Sequence, residues 1–172
     1  MSDRVLNFFD YLIEDEWWRI GALNGDICMT MPLGAAVAMK KIERRFRSWN
    51  RVEARSLTTD RMAEQINEFL TMGRRGFDVD VFMVGTEFEK MVWRELMRVE
   101  YGQRISYGVL ANRCGLCGGA RAVGGAVGRN PLLLLVPCHR VVAADGSIGG
   151  FSAGIDLKRS LLSIENNHGM PW

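Results

Sequence analysis

The segment NPLLLLVPCHRVV, residues 130–142, places a cysteine and a histidine side by side directly after an apolar run. A thiol becomes a nucleophile when a base or a positive field helps it to lose its proton, and histidine can serve as that base near neutral pH. The run 132–136 has no polar face, which predicts an extended segment that is buried on both sides and carries Cys138 inward. Because neighbouring side chains of an extended chain point to opposite faces, we expect a bent backbone or a bridging water between His139 and Cys138.

A buried free cysteine is most often a small apolar core residue, and that interpretation stays open for Cys138. The alternative depends on the segment DLKRSLLSIEN, where Leu157, Leu161 and Glu165 recur at helical spacing and put a carboxylate on an apolar helix face. A buried carboxylate is costly unless it is paired. The sequence therefore favours either a relay of Cys138, His139 and Glu165, or a frayed helix end that leaves Glu165 in water.

A second pattern lies upstream in GARAVGGAVGRN, residues 119–130, where one arginine and three glycines share a helix face: Arg121, Gly124, Gly125 and Gly128. Each interior glycine costs a helix about 1 kcal/mol relative to alanine. Three glycines on one face therefore indicate that another helix or a ligand lies close against it. The two interpretations are packing against another helix and a minor-groove contact, in which Arg121 reaches into the groove or fills a gap in a base stack.

The elements that would position these residues divide the chain near residue 85, after the glycine-containing and charged connector 73–86. The first part has the mixed strand and helix character of an α/β unit. Its predicted elements are strands within 17–31 around an Asn-Gly turn, a helix within 33–46, a short strand near Val52 and a helix from about 60 to 72.

The second part is predicted to be mainly helical. Its first helix begins with a capping box from Thr86 to Glu89. Two short helices, 106–115 and 119–130, follow around a glycine-rich turn and suggest a helix-turn-helix. The apolar face of the first helix consists of Phe88, Val92, Leu96 and Val99.

The composition excludes several classes of protein. The 172 residues are 48% hydrophobic and carry a net charge of +2, too little to coat nucleic acid by charge alone. Four cysteines are too few for a disulfide scaffold, and no apolar run is long enough to cross a membrane. The N-terminus lacks the basic start and clean apolar stretch of a signal peptide. We expect a cytosolic protein, cytoplasmic or nucleoid-associated.

Several motifs, in the same order, closely resemble those of the O6-alkylguanine-DNA alkyltransferases, the methylated-DNA–protein-cysteine methyltransferases. The resemblance covers about residues 80–166, and the N-terminal half matches only in length and in its mixed character. It implies an α+β chain with a ribonuclease-H-like α/β domain (1–84) and a mainly helical, winged helix-turn-helix-like DNA-binding domain (85–172). The motifs are GTEFEKMVW (85–93), ISYG (105–108), ARAVGGAVGRNP (120–131), PCHRV (137–141), GGFSAG (149–154) and LLSIE (161–165).

The resemblance implies DNA repair by single-turnover transfer of an alkyl group from O6-alkylguanine in double-stranded DNA, with O4-alkylthymine as a further substrate to consider. The protein would act as a monomer, without cofactor, metal or membrane. Cys138 would be the alkyl acceptor, His139 the base that acts through water, and Glu165 the carboxylate that orients His139. Asn130 would brace this network, and Tyr107 would crowd the target phosphate and donate to the flipped purine.

The same resemblance implies the contacts to DNA and to the guanine. The carbonyls of Cys138 and Val141 would accept from the guanine amino group, and the Ser152 amide would donate to the alkylated oxygen. Phe151 stands where many members carry tyrosine, and Ala153 replaces a glycine in the same loop; we expect activity to survive, and these two residues bear on the range of alkyl groups. Leu133 stands where some members carry a pocket-wall proline, which bears on the response to bulky free-base inhibitors. The DNA-contacting residues would be Tyr107, the finger residue Arg121, Ala122, Gly124, Gly125 and Gly128.

Other functions remain open from the sequence. Cys114, Cys117, Cys138 and His139 add up to a Cys3His zinc set, although two adjacent ligands make tetrahedral closure awkward. Two further alternatives are a protein that binds the lesion without transferring the alkyl group and a Cys-His hydrolase that acts repeatedly. The basic stretch 44–55 is either a solvated face or a supplementary DNA contact.

Overall fold

The computed structural model describes residues 4–167; the ends of the predicted domains, 1–3 and 168–172, lie outside the described residues. The chain forms two compact units. The first contains residues up to Val84 together with 131–133, and the second contains residues 85–130 and those from Leu134 onward. The three residues 131–133 belong to the first unit by their contacts, whereas the sequence grouped them with the second domain.

Backbone pairing explains that assignment. The Thr30 amide donates to the carbonyl of Pro131 over 2.9 Å, and the Leu133 amide donates to the carbonyl of Thr30 over 3.1 Å. The Thr30 hydroxyl also donates to the Leu133 carbonyl over 2.7 Å. Three polar groups that burial would otherwise leave unsatisfied are thus paired.

The first unit has a four-stranded sheet with the strand order β3-β2-β1-β4, in which β1, β2 and β3 are antiparallel and β4 runs parallel to β1. Its elements are β1 (Val5–Ile13), β2 (Glu16–Leu23), β3 (Asp26–Pro32), α1 (Ala36–Glu43), a 3-10 turn (Arg44–Phe46), β4 (Asn50–Glu53) and α2 (Leu57–Thr71).

The predicted Asn-Gly hairpin is present between β2 and β3. Asn24 and Gly25 have φ angles of 53° and 97°, the left-handed conformation that a tight two-residue hairpin turn requires at both central positions. The sequence analysis missed β1, because most of its residues are partly covered on both faces and the strand shows no clean alternation. α2 begins at Leu57, a few residues earlier than predicted, because Ser56 and Thr59 form a capping box there.

The second unit is mainly helical, which confirms the predicted fold class. β5 and β6 are two residues each and pair in parallel. The elements are α3 (Glu87–Met97), β5 (Ile105–Ser106), α4 (Tyr107–Arg113), α5 (Ala120–Val127), a 3-10 turn (Cys138–Arg140), β6 (Val141–Val142) and α6 (Ile155–Asn167). Within the described residues, no helix is long and apolar enough to cross a membrane.

α3 forms as the sequence predicted. The Thr86 hydroxyl accepts from the Glu89 amide over 3.2 Å, and the Glu89 carboxylate accepts from the Thr86 amide over 3.0 Å. Val92 and Leu96 are fully buried, as is Trp93, whose indole N–H donates to the carbonyl of Ala126 over 2.9 Å. α3 is thereby tied to α5, the second helix of the helix-turn-helix.

This cap generates a stability prediction. Thr86→Ala should lower the free energy of unfolding by about 1 kcal/mol, because an amide at the start of α3 loses its acceptor. Thr71→Ala is the matched control, since its exposed hydroxyl only donates back to the Asn67 carbonyl. Urea unfolding followed by circular dichroism measures both. Equal losses in the two variants would show that the cap contributes nothing.

Candidate functional site

The apolar run before the cysteine is buried, but the predicted extended segment is wrong. Leu132 forms an isolated parallel bridge with Thr30, and residues 133–135 then form a turn. Leu134 in that turn has a φ of 71°, a left-handed conformation that is costly for a residue with a side chain. Cys138 then begins a 3-10 turn. The expectation of a bent backbone at the cysteine and histidine is correct.

Cys138 is almost completely buried, with 2% of its surface exposed. The side-chain amide of Asn130 donates to the sulfur over 3.2 Å and to the carbonyl of Val136 over 2.9 Å. Burial raises the pKa of the Cys138 thiol to about 11, although the hydrogen bond from Asn130 and the positive charge of Lys158 act to lower it. The resting residue at neutral pH is therefore the thiol.

His139 and Glu165 form a buried pair, in which His139 Nε2 lies 2.8 Å from Glu165 Oε1. Burial lowers the pKa of His139 and outweighs the opposing effect of Glu165, so the ring is neutral at pH 7. Burial by itself would raise the pKa of Glu165, but hydrogen bonds from His139 and Arg140 lower it to about 2. An ionised carboxylate can only accept, so Nε2 carries the ring proton and Nδ1 keeps the basic lone pair.

The frayed-end interpretation of Glu165 is wrong, because the residue is only 1% exposed. A second partner of Glu165, Arg140, was not predicted from the sequence; its Nη2 and Nε donate to Glu165 Oε1 over 2.8 and 3.0 Å. The third guanidinium nitrogen, Nη1, donates to the Val99 carbonyl over 2.5 Å, and the Gly102 amide donates to Glu165 Oε2 over 3.1 Å. A buried carboxylate with this many donors meets the condition for a stable buried charge.

The sequence analysis also missed Lys158, which is fully buried. Its ammonium group donates to three carbonyls, those of Val141 over 2.6 Å, Ile148 over 2.5 Å and Gly150 over 3.2 Å. It therefore ties β6 to the loop that precedes α6. Burial lowers the pKa of Lys158, and the Cys138 sulfur opposes that shift.

A sequence signal for Lys158 existed. The buried face of α6 consists of Lys158, Leu161, Leu162 and Glu165, at positions i, i+3, i+4 and i+7. The predicted face took in Leu157, which is only partly covered. Following this face two turns back from Glu165 would have found the lysine.

Tyr107 and the loop 148–154 lie together beside this network. The Tyr107 hydroxyl lies 3.4 Å from the carbonyl of Gly150. Burial raises the pKa of the Tyr107 phenol, and the Cys138 charge acts in the same direction. Phe151 and Ser152 are partly buried on a turn that closes by a hydrogen bond from the Gly154 amide to the Phe151 carbonyl over 3.2 Å.

Two residues predicted to contact the substrate, Val141 and Leu133, form hydrogen bonds with other protein groups in the structure. The Val141 carbonyl, expected to accept from guanine, accepts from Lys158 and keeps a second lone pair for another donor. Leu133 is 1% exposed and belongs to the first unit, where its backbone pairs with Thr30.

The glycine face of α5, which consists of Arg121, Gly124, Gly125 and Gly128, makes few close contacts with other protein atoms. A methyl group at Gly124 would lie 3.6 Å from the Tyr107 ring, an ordinary contact, and one at Gly128 would lie 3.4 Å from the Gly124 carbonyl. At Gly125 the nearest atom is the flexible tip of Arg129, at 3.3 Å. Arg121 and Ala122 are exposed. Tight packing against a neighbouring helix of the same unit therefore does not explain the glycines.

The zinc alternative finds no support among residues 4–167. No group of three or more His, Cys, Asp and Glu side chains in that range could hold a metal ion. Cys138 and His139 are buried with Asn130 and Glu165, whereas Cys117 is exposed on the turn between α4 and α5.

Comparisons with known proteins show which family the chain resembles. The model of the DNA-binding domain of 6-O-methylguanine DNA methyltransferases matches residues 87–167. The methylated-DNA–protein-cysteine methyltransferase of Mycolicibacterium paratuberculosis is 42% identical over 105 residues, which span 61% of this chain and 64% of that protein. The matched region is thus less than two thirds of that relative.

Two solved structures extend the likeness to nearly the whole chain. The Mycobacterium tuberculosis OGT in complex with DNA has a TM-score of 0.77 and 30% identity, covering 95% of this chain and 94% of that one. The O6-methylguanine-DNA methyltransferase of Pyrococcus kodakaraensis has a TM-score of 0.68 and 30% identity, covering 93% and 98%. The chain therefore belongs to the O6-methylguanine-DNA methyltransferase family.

The buried carboxylate generates a pH-dependent prediction. Glu165→Gln should lower the free energy of unfolding at neutral pH by roughly 3 kcal/mol, the value of a pKa lowered from 4.5 to about 2. A lowered pKa stabilises the fold above the pKa of the unfolded state. The difference in the free energy of unfolding between wild type and variant should therefore be largest above about pH 5 and should decrease as the pH falls toward 2.

Urea unfolding at several pH values measures this gap. The control is Glu87→Gln, which removes the exposed partner of Lys90 and should change stability far less. A gap of the same size at low and neutral pH would contradict the assignment of an ionised, buried Glu165.

Proposed function

We propose that this chain repairs DNA by transferring an alkyl group from O6-alkylguanine to the sulfur of Cys138, once per molecule. The observation that carries the proposal is a buried thiol followed directly by a neutral imidazole whose Nε2 is held by an ionised carboxylate. That arrangement provides a nucleophile and an oriented base in a place that bulk water does not reach. Such a site suits attack on a carbon delivered into the protein.

The substrate must leave the base stack to reach this thiol. Extruding a nucleotide costs a few kcal/mol, and less for a weakly paired lesion, which gives part of the selectivity. The exposed Arg121 is placed at the start of α5, where it can occupy the gap that the extruded base leaves. The bare glycine face beside it lets sugars and phosphates approach the helix closely.

Proton transfer comes first, because burial keeps Cys138 as a thiol. In this proposal the proton passes to His139 Nδ1, directly or through a water molecule, as the sulfur attacks. Glu165 stabilises the imidazolium that forms, and Arg140 keeps Glu165 in place. Lys158 adds positive charge near the sulfur, and Asn130 donates a hydrogen bond to it.

The transfer itself is an in-line displacement at the alkyl carbon. The sulfur–carbon bond forms as the carbon–oxygen bond breaks, and the electron pair of that bond moves onto the guanine oxygen and ring. Donors placed at the developing charge lower the barrier. The Ser152 amide and the Tyr107 hydroxyl are our candidates for these donors. The proton that the base collected restores neutral guanine.

The product is a thioether, which has no easy route back to a thiol. Each chain should therefore act once, without a cofactor, and the amount of alkylated protein should be proportional to the amount of alkylated guanine supplied. A Cys-His hydrolase would instead release product repeatedly and leave the cysteine unchanged. A lesion-binding protein would hold the DNA and leave both molecules unchanged.

The decisive experiment measures the intact mass of the protein after incubation with excess duplex that carries one O6-methylguanine. We expect one methyl group per chain, located on Cys138 by peptide mapping, and no increase in Cys138→Ser. Cys117→Ser is the matched control, because this exposed cysteine lies outside the network and the variant should still take up one methyl group.

Three results separate the alternatives. Repeated removal of the methyl group with unchanged protein mass would favour hydrolysis, and binding without any mass change would favour lesion recognition. A duplex with O4-methylthymine in the same assay tests the second substrate, whose alkyl group is also carried by a ring oxygen.

The glycine face gives an independent prediction. Gly124→Ala should stabilise the protein by up to about 1 kcal/mol, because alanine favours helix and its methyl group makes only an ordinary contact with Tyr107. The same methyl group should weaken DNA binding about tenfold, a loss of about 1.4 kcal/mol. Gly76→Ala, where no atom lies within 4 Å of the added carbon, is the control. Unchanged binding in Gly124→Ala would remove α5 from the proposed interface.

A further inference from the structure

A strongly basic surface lies on the first unit. We define the basic face as Lys40, Lys41, Arg44 and Arg47. All four are exposed. Lys40, Arg44 and Arg47 line up along α1 and the 3-10 turn that follows it, with Lys41 beside them.

The charge of the first unit is unevenly distributed. Up to Val84 the chain has twelve Lys and Arg residues against thirteen Asp and Glu residues, a net charge of −1. Residues 40–47 alone have five cations and one anion, a net charge of +4. The positive charge is therefore concentrated in one short segment of a unit that is otherwise acidic.

The cations of the basic face differ in their partners from four other arginines of the unit. Within the described residues, no side chain of the basic face forms a hydrogen bond or an ion pair. Four arginines elsewhere in the unit are paired with carboxylates. These pairs are Arg19 with Asp10 and Glu43, Arg55 with Asp60, Arg61 with Asp78, and Arg74 with Glu68.

Helix stabilisation explains only part of this pattern. Lys40 and Lys41 occupy the last turn of α1, where positive charge favours the helix dipole. Arg44 is the C-cap residue of α1 and shares that effect, whereas Arg47 lies beyond it, at the end of the 3-10 turn.

We propose that the basic face binds the phosphate backbone of DNA, as a second contact on the duplex that the second unit engages. The proposal rests on the proposed function for its choice of polyanion. Two contacts from one chain on one polymer raise the effective concentration at the second, so even weak phosphate contacts increase retention on DNA. Such contacts are independent of sequence and of damage.

A membrane surface fits this face less well. A helix that lies on a lipid surface needs a broad exposed apolar face. The apolar residues of α1, Ala38, Met39 and Ile42, are buried in the unit, and the large apolar residue that it exposes is Val37.

The test compares two triple variants of the full chain that lower the net charge equally. The face variant is Lys40→Gln, Arg44→Gln and Arg47→Gln, and the control is Arg55→Gln, Arg61→Gln and Arg74→Gln. Fluorescence anisotropy with a long unmethylated duplex gives the dependence of affinity on salt. The face variant should lower the slope of log affinity against log salt by about 2 to 3, since each phosphate contact contributes about 0.9. A fourfold rise in salt should then weaken the wild type about 40-fold more than the face variant.

The control should keep the wild-type slope. An unchanged slope in the face variant, or an equal fall in the control, would overturn the proposal. So would weaker binding of the face variant to phosphatidylglycerol vesicles with DNA binding unaltered, which would assign the surface to lipid. Thermal unfolding confirms that both variants are folded.

The outcome is separable from that of the proposed function. Methyl transfer at saturating methylated duplex should be the same in the face variant and the wild type. A wild type that transfers no methyl group, together with a lowered slope in the face variant, would refute the repair reaction and keep the DNA contact.

Discussion

The second unit depends on one buried carboxylate. Glu165 accepts from His139, from Arg140 and from the Gly102 amide, so it joins α6, the 3-10 turn at the cysteine and the turn after α3. Such a charge is stable in the interior only when these donors are all in place. Because the carboxylate stays ionised, it also decides which nitrogen of His139 keeps its lone pair. Structural integrity and the orientation of the base thus come from the same interaction.

A second buried charge, that of Lys158, organises the other side of the site. Its three carbonyl acceptors fix the loop 148–150 against β6, and Tyr107 reaches the same loop through Gly150. The ammonium group also lies close enough to influence the Cys138 sulfur. Glu165 and Lys158 lie seven residues apart on one face of α6. A single helix therefore delivers both the negative and the positive charge that the thiol chemistry would use.

The surfaces proposed to meet DNA differ in kind. The glycine face of α5 is smooth and carries the cation Arg121 at its start, which suits close approach to a groove and extrusion of a base. The basic face of α1 and its 3-10 turn consists of exposed cationic side chains. Such side chains can contact phosphates anywhere on a duplex, whatever the base sequence. Membership of the family accounts for the first surface, whereas the second follows from the distribution of charge in this chain.

Local patterns in the sequence were enough for the elements whose signals lie within a few residues. The capping box at Thr86, the Asn24–Gly25 hairpin and the paired short helices could be predicted because caps, turns and helix periodicity act over one or two turns of chain. The motifs around Cys138 were enough to identify the family. The sequence predicted that Glu165 lies on an apolar helix face, but it did not determine whether the carboxylate is buried.

Tertiary structure alone decided what surrounds those residues. Whether Glu165 is buried or frayed depends on Arg140 and Gly102, which are distant from it in the chain. The turn at 133–135 depends on the pairing of Leu132 and Leu133 with Thr30 and on the hydrogen bond from Asn130 to Val136, and not on the apolar character that suggested an extended run. Partners of buried charges come from segments far apart in sequence, and no local pattern specifies which of them will meet.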